Sequence, residues 1–359
     1  MVATPLEINL EIRPRARLDL VDVDKQIADT HGDVLGEFPR ALYCSYHTTA
    51  GYLDQGIAGR LNRKQGKQAG VAPYLSFFKK IFPEGAGYQH DELHLREELT
   101  EEQRRVEPCN ADSHLAFISA GLRSCVTYRR RKGEPVYFID LDGVNKGRPR
   151  RRCTTVLGFS TEEIVARDRL AVPMSAHPVE SVNLKDPRLG LFQQCQEMID
   201  RYGVTKGRIH LTLSPGERQA GLTVNEYETL LMQHDLAEVI RDPFRFMAEK
   251  SRHLLADPRA IPNKTIGYAK YDLVRIFNEL VDALGLNDSM IEQVASRFFG
   301  APASRFLRMK RSVNVLVTNG NSAQRGHLAQ GPFQSPILVQ WRQAKHRMRH
   351  IDITLVRFK

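Results

Sequence analysis

The sequence predicts an α+β protein made of two tandem copies of one domain. Three observations support this prediction: strands and helices alternate irregularly, the second half repeats the element order of the first, and short segments near the strand ends match between the halves. With 359 residues, of which 42% are hydrophobic, the chain can build two domains of ordinary size with substantial cores.

The first half shows the two-residue alternation of half-buried strands and the longer period of amphipathic helices. Its predicted strands are 7–15, 40–48, 125–131, 135–143 and 150–159. Its predicted helices are 21–33, 70–82, 91–105 and 111–121.

The second half follows the same order. Its predicted helices are 189–203, 227–240, 271–285 and 289–300. Its predicted strands are 207–215, 313–321, 335–343 and 348–358. Compared with the first half, it carries a helical insertion at about 241–285.

A direct alignment places Ala50-Gly51 on Ala220-Gly221, and residues 135–159 resemble 336–358 in their strand, basic turn and strand. We therefore predict one copy over 1–165, a linker rich in proline and small residues over 166–180, and a second copy over 181–359.

Composition limits the functional classes. The formal net charge is +10, which favours an anionic partner, either a nucleic acid or a phosphorylated small molecule. Five scattered cysteines form no CxxC pair, so we expect a reduced, cytoplasmic protein. No apolar run approaches the roughly 20 residues that span a bilayer, so no membrane partner is expected.

A set of short motifs then follows in chain order. The first copy has HTTA (47–50), YQH (88–90), NADSH (110–114) and DLDG…RPR (140–150), and the second has LTVNE (222–226) and GPFQ (331–334). In these motifs the chain resembles the YjbQ family, whose members are described as secondary thiamine-phosphate synthases. The resemblance implies two mainly antiparallel β-sheet domains with packed helices, a homo-oligomer that is expected to be a trimer, and an enzyme.

The departures from the family pattern are divided between the copies. In the first copy, Gln55 and Gly56 stand where the family has Asn-Glu, and in the second, residues 217–219 replace His-Thr-Thr. Asp288-Ser289-Met290 aligns with residues 112–114, so Met290 stands in place of the histidine. Because each copy keeps what the other lacks, we predict a composite site. It joins His47, Thr48, Thr49, His90 and His114 to Asn225, Glu226 and Gln334.

Three histidines on separate elements suit a divalent metal such as zinc, with an open position for water or substrate. We therefore predict His47, His90 and His114 as metal ligands. Glu226 would act as general base or as a fourth, weaker metal ligand, with Asn225 and Gln334 beside it as catalytic residues. The alternative is that the histidines form local hydrogen bonds or contact an anionic substrate directly.

The predicted substrate-binding residues are polar or cationic. Thr48, Thr49 and Asn110 can donate to a phosphate, and Arg148 and Arg150 can bind one through their guanidinium groups. The alternative for the arginines is a solvated strand edge. The HDELH segment (90–94) echoes a zinc-protease helix, but aspartate replaces the glutamate base and no third ligand follows.

Three functional classes stay open at this point. The first is a metal-dependent enzyme acting on a phosphorylated small molecule, with thiamine-phosphate synthase chemistry as the reaction that the resemblance implies. The second is a nucleic-acid-binding module that uses the arginine-rich hairpins, although one tryptophan and 8% aromatic residues offer no stacking platform. The third is a scaffold in which the second copy has lost catalysis.

Overall fold

The structure is a computed structural model, and it describes residues 4–62, 70–241, 245, 246, 249, 309–320, 322 and 324–359. The chain forms two compact units. The first comprises Met1–Gln55, Leu122–Tyr227 and Met309–Lys359, and the second comprises Gly56–Gly121 and Glu228–Arg308. These units do not coincide with the predicted halves, because both halves contribute sheets to the first unit and helical sequence to the second.

The α-helices among the described residues are α1 Val23–His31, α2 Gln55–Asn62, α3 Val71–Ile81, α4 Glu101–Val106, α5 Ala111–Ala120, α6 Leu191–Tyr202 and α7 Leu236–Arg241. The strands of the first copy are β1 Leu6–Ile12, β2 Asp19–Asp22, β3 Arg40–Ser45, β4 Ala50–Gly51, β5 Cys125–Arg129, β6 Tyr137–Asp140, β7 Val144–Asn145, β8 Arg148–Pro149 and β9 Arg152–Phe159. Those of the second are β10 Glu162–Pro173, β11 Glu180–Asn183, β12 Gly207–Leu213, β13 Ala220–Asn225, β14 Ser312–Thr318, β15 His327–Ala329, β16 Ser335–Gln340 and β17 Met348–Phe358.

The first unit contains the same sheet pair twice. The first copy forms a sheet of order β1-β9-β3-β5 and a smaller one of order β2-β6-β4, and the second forms β10-β17-β12-β14-β15 and β11-β16-β13. Strand for strand, the two orders are equivalent apart from the additional β15, and the pairing is antiparallel throughout. The predicted α+β class with two repeated domains is therefore confirmed.

The two larger sheets share an apolar layer. It contains Leu42, Leu157 and Phe159 from the first copy together with Leu316 and Phe358 from the second. The rings of Phe159 and Phe358 stack with their centroids 3.9 Å apart and their planes within 3°. Burial of this layer supplies a hydrophobic contribution that separate copies would lack.

Strand β10 covers the first part of the predicted linker over 166–180. Residues 162–173 form this strand, which pairs with β17 from Glu162 opposite Phe358 to Pro173 opposite Met348. The two copies are therefore joined through a strand of the second sheet.

The second unit is mainly helical where it is described. Helix α3 packs through its buried aromatic face, where Tyr74 and Phe78 lie edge to face with ring centroids 5.2 Å apart. The Tyr74 hydroxyl donates to the carbonyl of Ala120, the last residue of α5, over 2.7 Å. The fully buried α5 is therefore tied to α3 at its C-terminal end.

The predicted helix over 91–105 is not a single helix. Two short 3₁₀ turns cover 89–91 and 93–95, and only α4 is α-helical. The predicted helix over 227–240 is a π-helical segment over Leu230–Asp235 followed by α7. The predicted helices over 271–285 and 289–300, most of the insertion at 241–285, and Met290 lie outside the described residues. Within the described part, no helix combines the length and apolarity needed to cross a membrane.

Candidate functional site

The HTTA segment forms a tight corner between β3 and β4. The buried Ser45 hydroxyl donates to the Ala50 carbonyl over 2.7 Å and accepts the N–H of His47 at 3.3 Å. One serine therefore closes the corner from inside. His47 and Thr48 are left half-buried outside the regular strands, while Thr49 is buried.

His47 is held as a neutral ring. The backbone N–H of Cys153 donates to its Nε2 over 2.8 Å, so the ring proton lies on Nδ1. Burial, followed by the positive charges of Arg152 and Arg150, lowers the pKa of His47 to about 3. At neutral pH this residue therefore presents an N–H donor and no charge.

Arg152 is the central cation of the corner. It is 2% exposed, and its Nε and Nη2 donate to the two carboxylate oxygens of Asp140 at 2.6 and 2.8 Å. The same Nη2 also donates to Thr49 Oγ1 at 3.2 Å and to the Asp142 carbonyl at 2.8 Å. Burial raises the pKa of Asp140, and Arg152 opposes that effect by favouring the charged carboxylate.

A second carboxylate lies beside the first. The fully buried Asp142 pairs with Arg150, and the Nη1 of Arg17 lies 3.8 Å from its other oxygen. Together with the pair of Arg152 and Asp140, three guanidinium groups face two carboxylates. The corner therefore gathers three guanidinium groups.

The remaining basic residues of this hairpin point elsewhere. Arg148 is exposed in the two-residue strand β8, and Arg151 pairs with Glu11 at 2.7 Å with 75% of its side chain exposed. Strand alternation explains the separation, because neighbouring side chains leave on opposite faces. Of the two predicted phosphate-binding arginines, Arg150 lies at the corner and Arg148 lies at the hairpin tip.

Two side chains of the second copy hold the backbone of this corner. Asn225 is fully buried and its Nδ2 donates to the Thr48 carbonyl over 3.2 Å. The buried Gln334 donates through Nε2 to the carbonyls of Ser45 at 3.0 Å and His47 at 2.9 Å. The two motif residues therefore act as positioning residues for the first copy's corner.

The GPFQ and LTVNE segments are themselves fixed. The Gly331 N–H donates to Gln334 Oε1 over 3.0 Å, and a Cβ at Gly331 would lie 1.9 Å from the Tyr46 carbonyl oxygen, so only glycine fits there. Glu226 is half-buried, and its N–H donates to Asn225 Oδ1 over 2.8 Å. Its role as a general base stays a prediction.

The second copy contains the same corner with different residues. Ala50 lies opposite Asp140, and Ala220 lies opposite Gln340, so these pairs are equivalent. Arg349 is buried and its Nε contacts Gln340 Oε1 at 3.3 Å, as Arg152 contacts the first copy's carboxylate.

Glu217 takes the place of the histidine. Its Oε1 accepts the backbone N–H of His350 at 2.9 Å, and its Oε2 accepts from Arg349 at 2.8 Å. The hydrogen bond from a backbone N–H is thus common to both corners. In the second, however, the accepting side chain also neutralises the arginine.

The second unit holds the other predicted site residues. His90 is 1% exposed, with its Nδ1 3.1 Å from Glu228 Oε2 and its Nε2 3.3 Å from Asn110 Oδ1. Burial acts to raise the pKa of Glu228, but the hydrogen bonds from His90 and from the N–H groups of Leu230 and Leu231 outweigh it and the pKa is lowered. Glu228 therefore accepts the proton of Nδ1 and orients the ring.

Backbone capping fixes the same segment. The fully buried Asp235 accepts the N–H groups of Gln89 at 3.0 Å and His90 at 2.9 Å. Asp91 accepts the N–H of Ala111 at 3.0 Å, and burial raises its pKa. The π-helical segment that ends at Asp235 thus positions the YQH motif.

His114 lies on α5, 1% exposed, with its ring edge to face against His90 at a centroid distance of 5.2 Å. Asp112, two residues before it, is buried and pairs with Lys79 instead of capping the helix. The NADSH motif therefore supplies a buried histidine and a buried ion pair.

The three predicted zinc ligands are distributed between the units, with His47 in the first and His90 and His114 in the second. Among the described residues, no group of three or more His, Cys, Asp or Glu side chains is arranged to hold a metal ion. His94 is 73% exposed beside Glu92 on a separate 3₁₀ turn, so the HDELH segment does not form a zinc-protease helix.

Several residues of these sites were not singled out from the sequence. Asp140 and Asp142 lie within the quoted DLDG motif, and Arg152 ends the basic run that follows it. Glu228 lies two residues after Glu226, the predicted base, and Asp235 belongs to none of the quoted motifs. The signal available for the first three was a two-residue spacing, Asp140 with Asp142 and Arg150 with Arg152, which puts each pair on one side of an extended segment.

The fold and the corner define an α+β protein with a duplicated antiparallel sheet and an arginine-rich polar site. No family model and no curated protein matches the chain. Solved structures do. A YbjQ-like protein of unknown function from Sulfolobus solfataricus P2 is 15% identical, with a TM-score of 0.29, and the match covers 55% of this chain and 99% of that chain.

A hypothetical protein from Aeropyrum pernix K1 is 16% identical, with a TM-score of 0.28, covering 53% of this chain and 98% of that one. An uncharacterized conserved protein of the YjbQ/UPF0047 family from Clostridium acetobutylicum is 12% identical, with a TM-score of 0.25, covering 53% and 99%. The motifs resemble this same family. At TM-scores this low, the likeness adds no inference about the site.

Proposed function

We propose that the chain is an enzyme that binds a phosphorylated small molecule at the corner of His47, Thr48 and Thr49. The observation that carries the proposal is the cluster of Arg17, Arg150 and Arg152 at this corner, beside the hydroxyl of Thr49. Guanidinium groups beside hydroxyl donors are the kind of groups that bind phosphate oxygens.

The donors at the corner support the same ligand. The neutral ring of His47 offers its Nδ1–H, and Thr49 can donate its proton because its oxygen accepts from Arg152. Thr48 is half-buried beside them. Fixed donors of this kind need no reorganisation when an anion binds, which favours affinity.

The reaction that the family resemblance implies joins a pyrimidine pyrophosphate to a thiazole phosphate and releases pyrophosphate. In that chemistry, Arg150 would bind the departing pyrophosphate and the threonines would orient it. Glu226 is proposed as the general base, with Asn225 and Gln334 holding the corner in place. We expect the protein to form thiamine phosphate from the two substrates. We expect the Glu226→Gln variant to have lost this activity.

Binding is tested first with inorganic pyrophosphate as the probe, by isothermal titration calorimetry. Arg150→Gln is expected to weaken binding about tenfold or more, since one charge-assisted contact is lost. Arg151→Gln is the matched control, because it removes the same charge at the next residue, where the side chain pairs with Glu11 and not with Asp142. Equal affinities for the two variants would contradict the proposal.

Zinc binding is part of the proposal and has its own test. His90 and His114, whose rings lie edge to face in the second unit, are the proposed imidazole ligands. Elemental analysis of the purified protein is expected to find about one zinc per chain, and less in a His114→Gln variant. A metal-free protein that binds pyrophosphate with unchanged affinity would contradict this part.

Nucleic-acid binding is the second candidate, and the exposed hairpin tip favours it. Lys146 and Arg148 are exposed there, and the Gly143 N–H donates to the Arg17 carbonyl, which places the exposed Arg13 and Arg15 on the adjoining segment. Binding to random single-stranded RNA with a steep salt dependence, weakened by Arg148→Gln, would favour this candidate over the enzyme.

A further inference from the structure

The second copy has an open cavity of about 670 Å³ beside strand β11. Strand β11, the loop that follows it and Tyr227 form its walls. In the first copy, Asp22 ends β2 and also caps α1, which begins at the next residue. At the equivalent place, Asn183 ends β11, and seven residues follow before α6 begins at Leu191.

The added loop is rigid because it is closed by its own hydrogen bonds. Asn183 Oδ1 accepts the N–H of Lys185 at 2.9 Å, and its carbonyl accepts the N–H of Asp186 at 3.1 Å. The Asp186 side chain then accepts the N–H of Arg188 at 2.9 Å. The cavity wall is therefore preformed, as ligand sites usually are.

The floor of the cavity is an open sheet edge with polar groups. Among the strands that the structure describes, β11 pairs only with β16, and the Ser181 carbonyl on its outer side accepts the Tyr227 hydroxyl at 3.1 Å. Ser181 is 8% exposed, and its Oγ has no hydrogen-bond partner in the described part of the chain. Its N–H points to the same outer side as its carbonyl.

The net charge of the cavity lining indicates the charge of the ligand that it can bind. Arg188 binds both carboxylate oxygens of Asp186, and this contact lowers the pKa of Asp186 to about 2, so that the pair is neutral overall. Lys185 is half-buried and makes no ion pair within the described residues. The lining thus carries one net positive charge, beside the ring of Tyr227 and the apolar Val182 and Pro187.

We propose that this cavity is a ligand site of the second copy that takes a small aromatic anion. Lys185 and the outward-pointing N–H of Ser181 bind its carboxylate or phosphate group. Its ring packs against Tyr227, which the hydrogen bond to Ser181 holds in place. A volume of about 670 Å³ lies within the range of small-molecule sites.

The test uses benzoate and phenyl phosphate as probes, with benzyl alcohol as the uncharged analogue, in ligand-observed NMR titrations of the full chain. We expect one or both anions to bind and benzyl alcohol to bind much more weakly. Lys185→Gln should weaken anion binding about tenfold. Arg201→Gln is the control, because it removes the same charge from an exposed position near the far end of α6.

Tyr227→Ala should also weaken binding, whereas Tyr202→Ala, which removes an exposed ring, should not. Failure of both anions to saturate below about 10 mM would overturn the proposal. Equal effects of Lys185→Gln and Arg201→Gln, or equal binding of benzoate and benzyl alcohol, would overturn it as well. The Arg150→Gln variant separates this site from the proposed function, because it impairs the corner and leaves the cavity intact.

Discussion

Arg152 and Arg349 occupy equivalent positions in the two copies, and each is neutralised by a carboxylate from a different place. Arg152 pairs with Asp140 on the neighbouring strand, where the second copy has an uncharged glutamine. Arg349 pairs with Glu217, where the first copy has His47. Each arginine thus keeps one buried carboxylate, but the carboxylate stands at the Asp140 position in the first copy and at the Glu217 position in the second. The first copy can therefore have a neutral histidine, His47, where the second copy needs Glu217.

This exchange predicts a rescue. Asp140→Asn should destabilise the protein by about 3–5 kcal/mol, because it leaves the buried Arg152 without its carboxylate. Adding His47→Glu should recover at least about 1 kcal/mol, since Glu217 performs that role in the second copy. Denaturant unfolding measures both changes. A double variant no more stable than Asp140→Asn would show that the two positions are not interchangeable.

The neutral state of His47 predicts a pH dependence. Its pKa is lowered to about 3 in the folded chain, from an ordinary value of 6.5. Between these values the unfolded chain binds more protons, so the free energy of unfolding should fall with falling pH, by up to about 1.4 kcal/mol per unit. His47→Gln should remove this component, whereas His94→Gln, at an exposed position, should keep it. Identical pH profiles for the wild type and His47→Gln would contradict the assignment.

The side chain of Gln334 should contribute strongly to the free energy of unfolding, because it donates to two buried backbone carbonyls. Gln334→Ala leaves the buried carbonyls of Ser45 and His47 without their donor, at a cost of about 2 kcal/mol. Gln324→Ala, at an exposed position, should change the free energy of unfolding by less than about 0.5 kcal/mol. Thermal or denaturant unfolding of the two variants measures the difference. Similar small effects of both substitutions would contradict the assignment of Gln334 as a positioning residue.

The apolar layer between the sheets predicts that the copies unfold together. Phe358→Ala should cost about 3–5 kcal/mol, because the ring is buried against Phe159. Phe333→Ala is the control, as that ring is 69% exposed. Separate unfolding transitions of the two copies in the wild-type protein, or equal costs of Phe358→Ala and Phe333→Ala, would contradict the shared layer.

The sequence predicted the repeated sheets well because alternating patterns and matching strand ends are local signals. Part of the predicted linker belongs to β10, a largely exposed edge strand whose polar and small residues resemble those of a connecting segment. The prediction of a single helix over 91–105 was wrong for a similar reason, because charged residues are as compatible with 3₁₀ turns as with an α-helix.

The candidate site was predictable only in part. HTTA, Asn225 and Gln334 were expected to meet, and they do, through hydrogen bonds from side-chain amides to backbone carbonyls. The exchange of Asp140 for Glu217 depends on contacts between strands far apart in the chain. No spacing within one copy could indicate it.

The sharing of one site between two copies is tested most directly by the affinity for pyrophosphate of Asn225→Ala. Gln55, at the equivalent position of the first copy, instead bonds the Arg129 backbone with both ends of its amide. We predict that Asn225→Ala weakens pyrophosphate binding about fivefold or more, since the Thr48 carbonyl loses its donor, while Gln55→Ala leaves the affinity unchanged. Unchanged affinity in a folded Asn225→Ala protein would contradict the account.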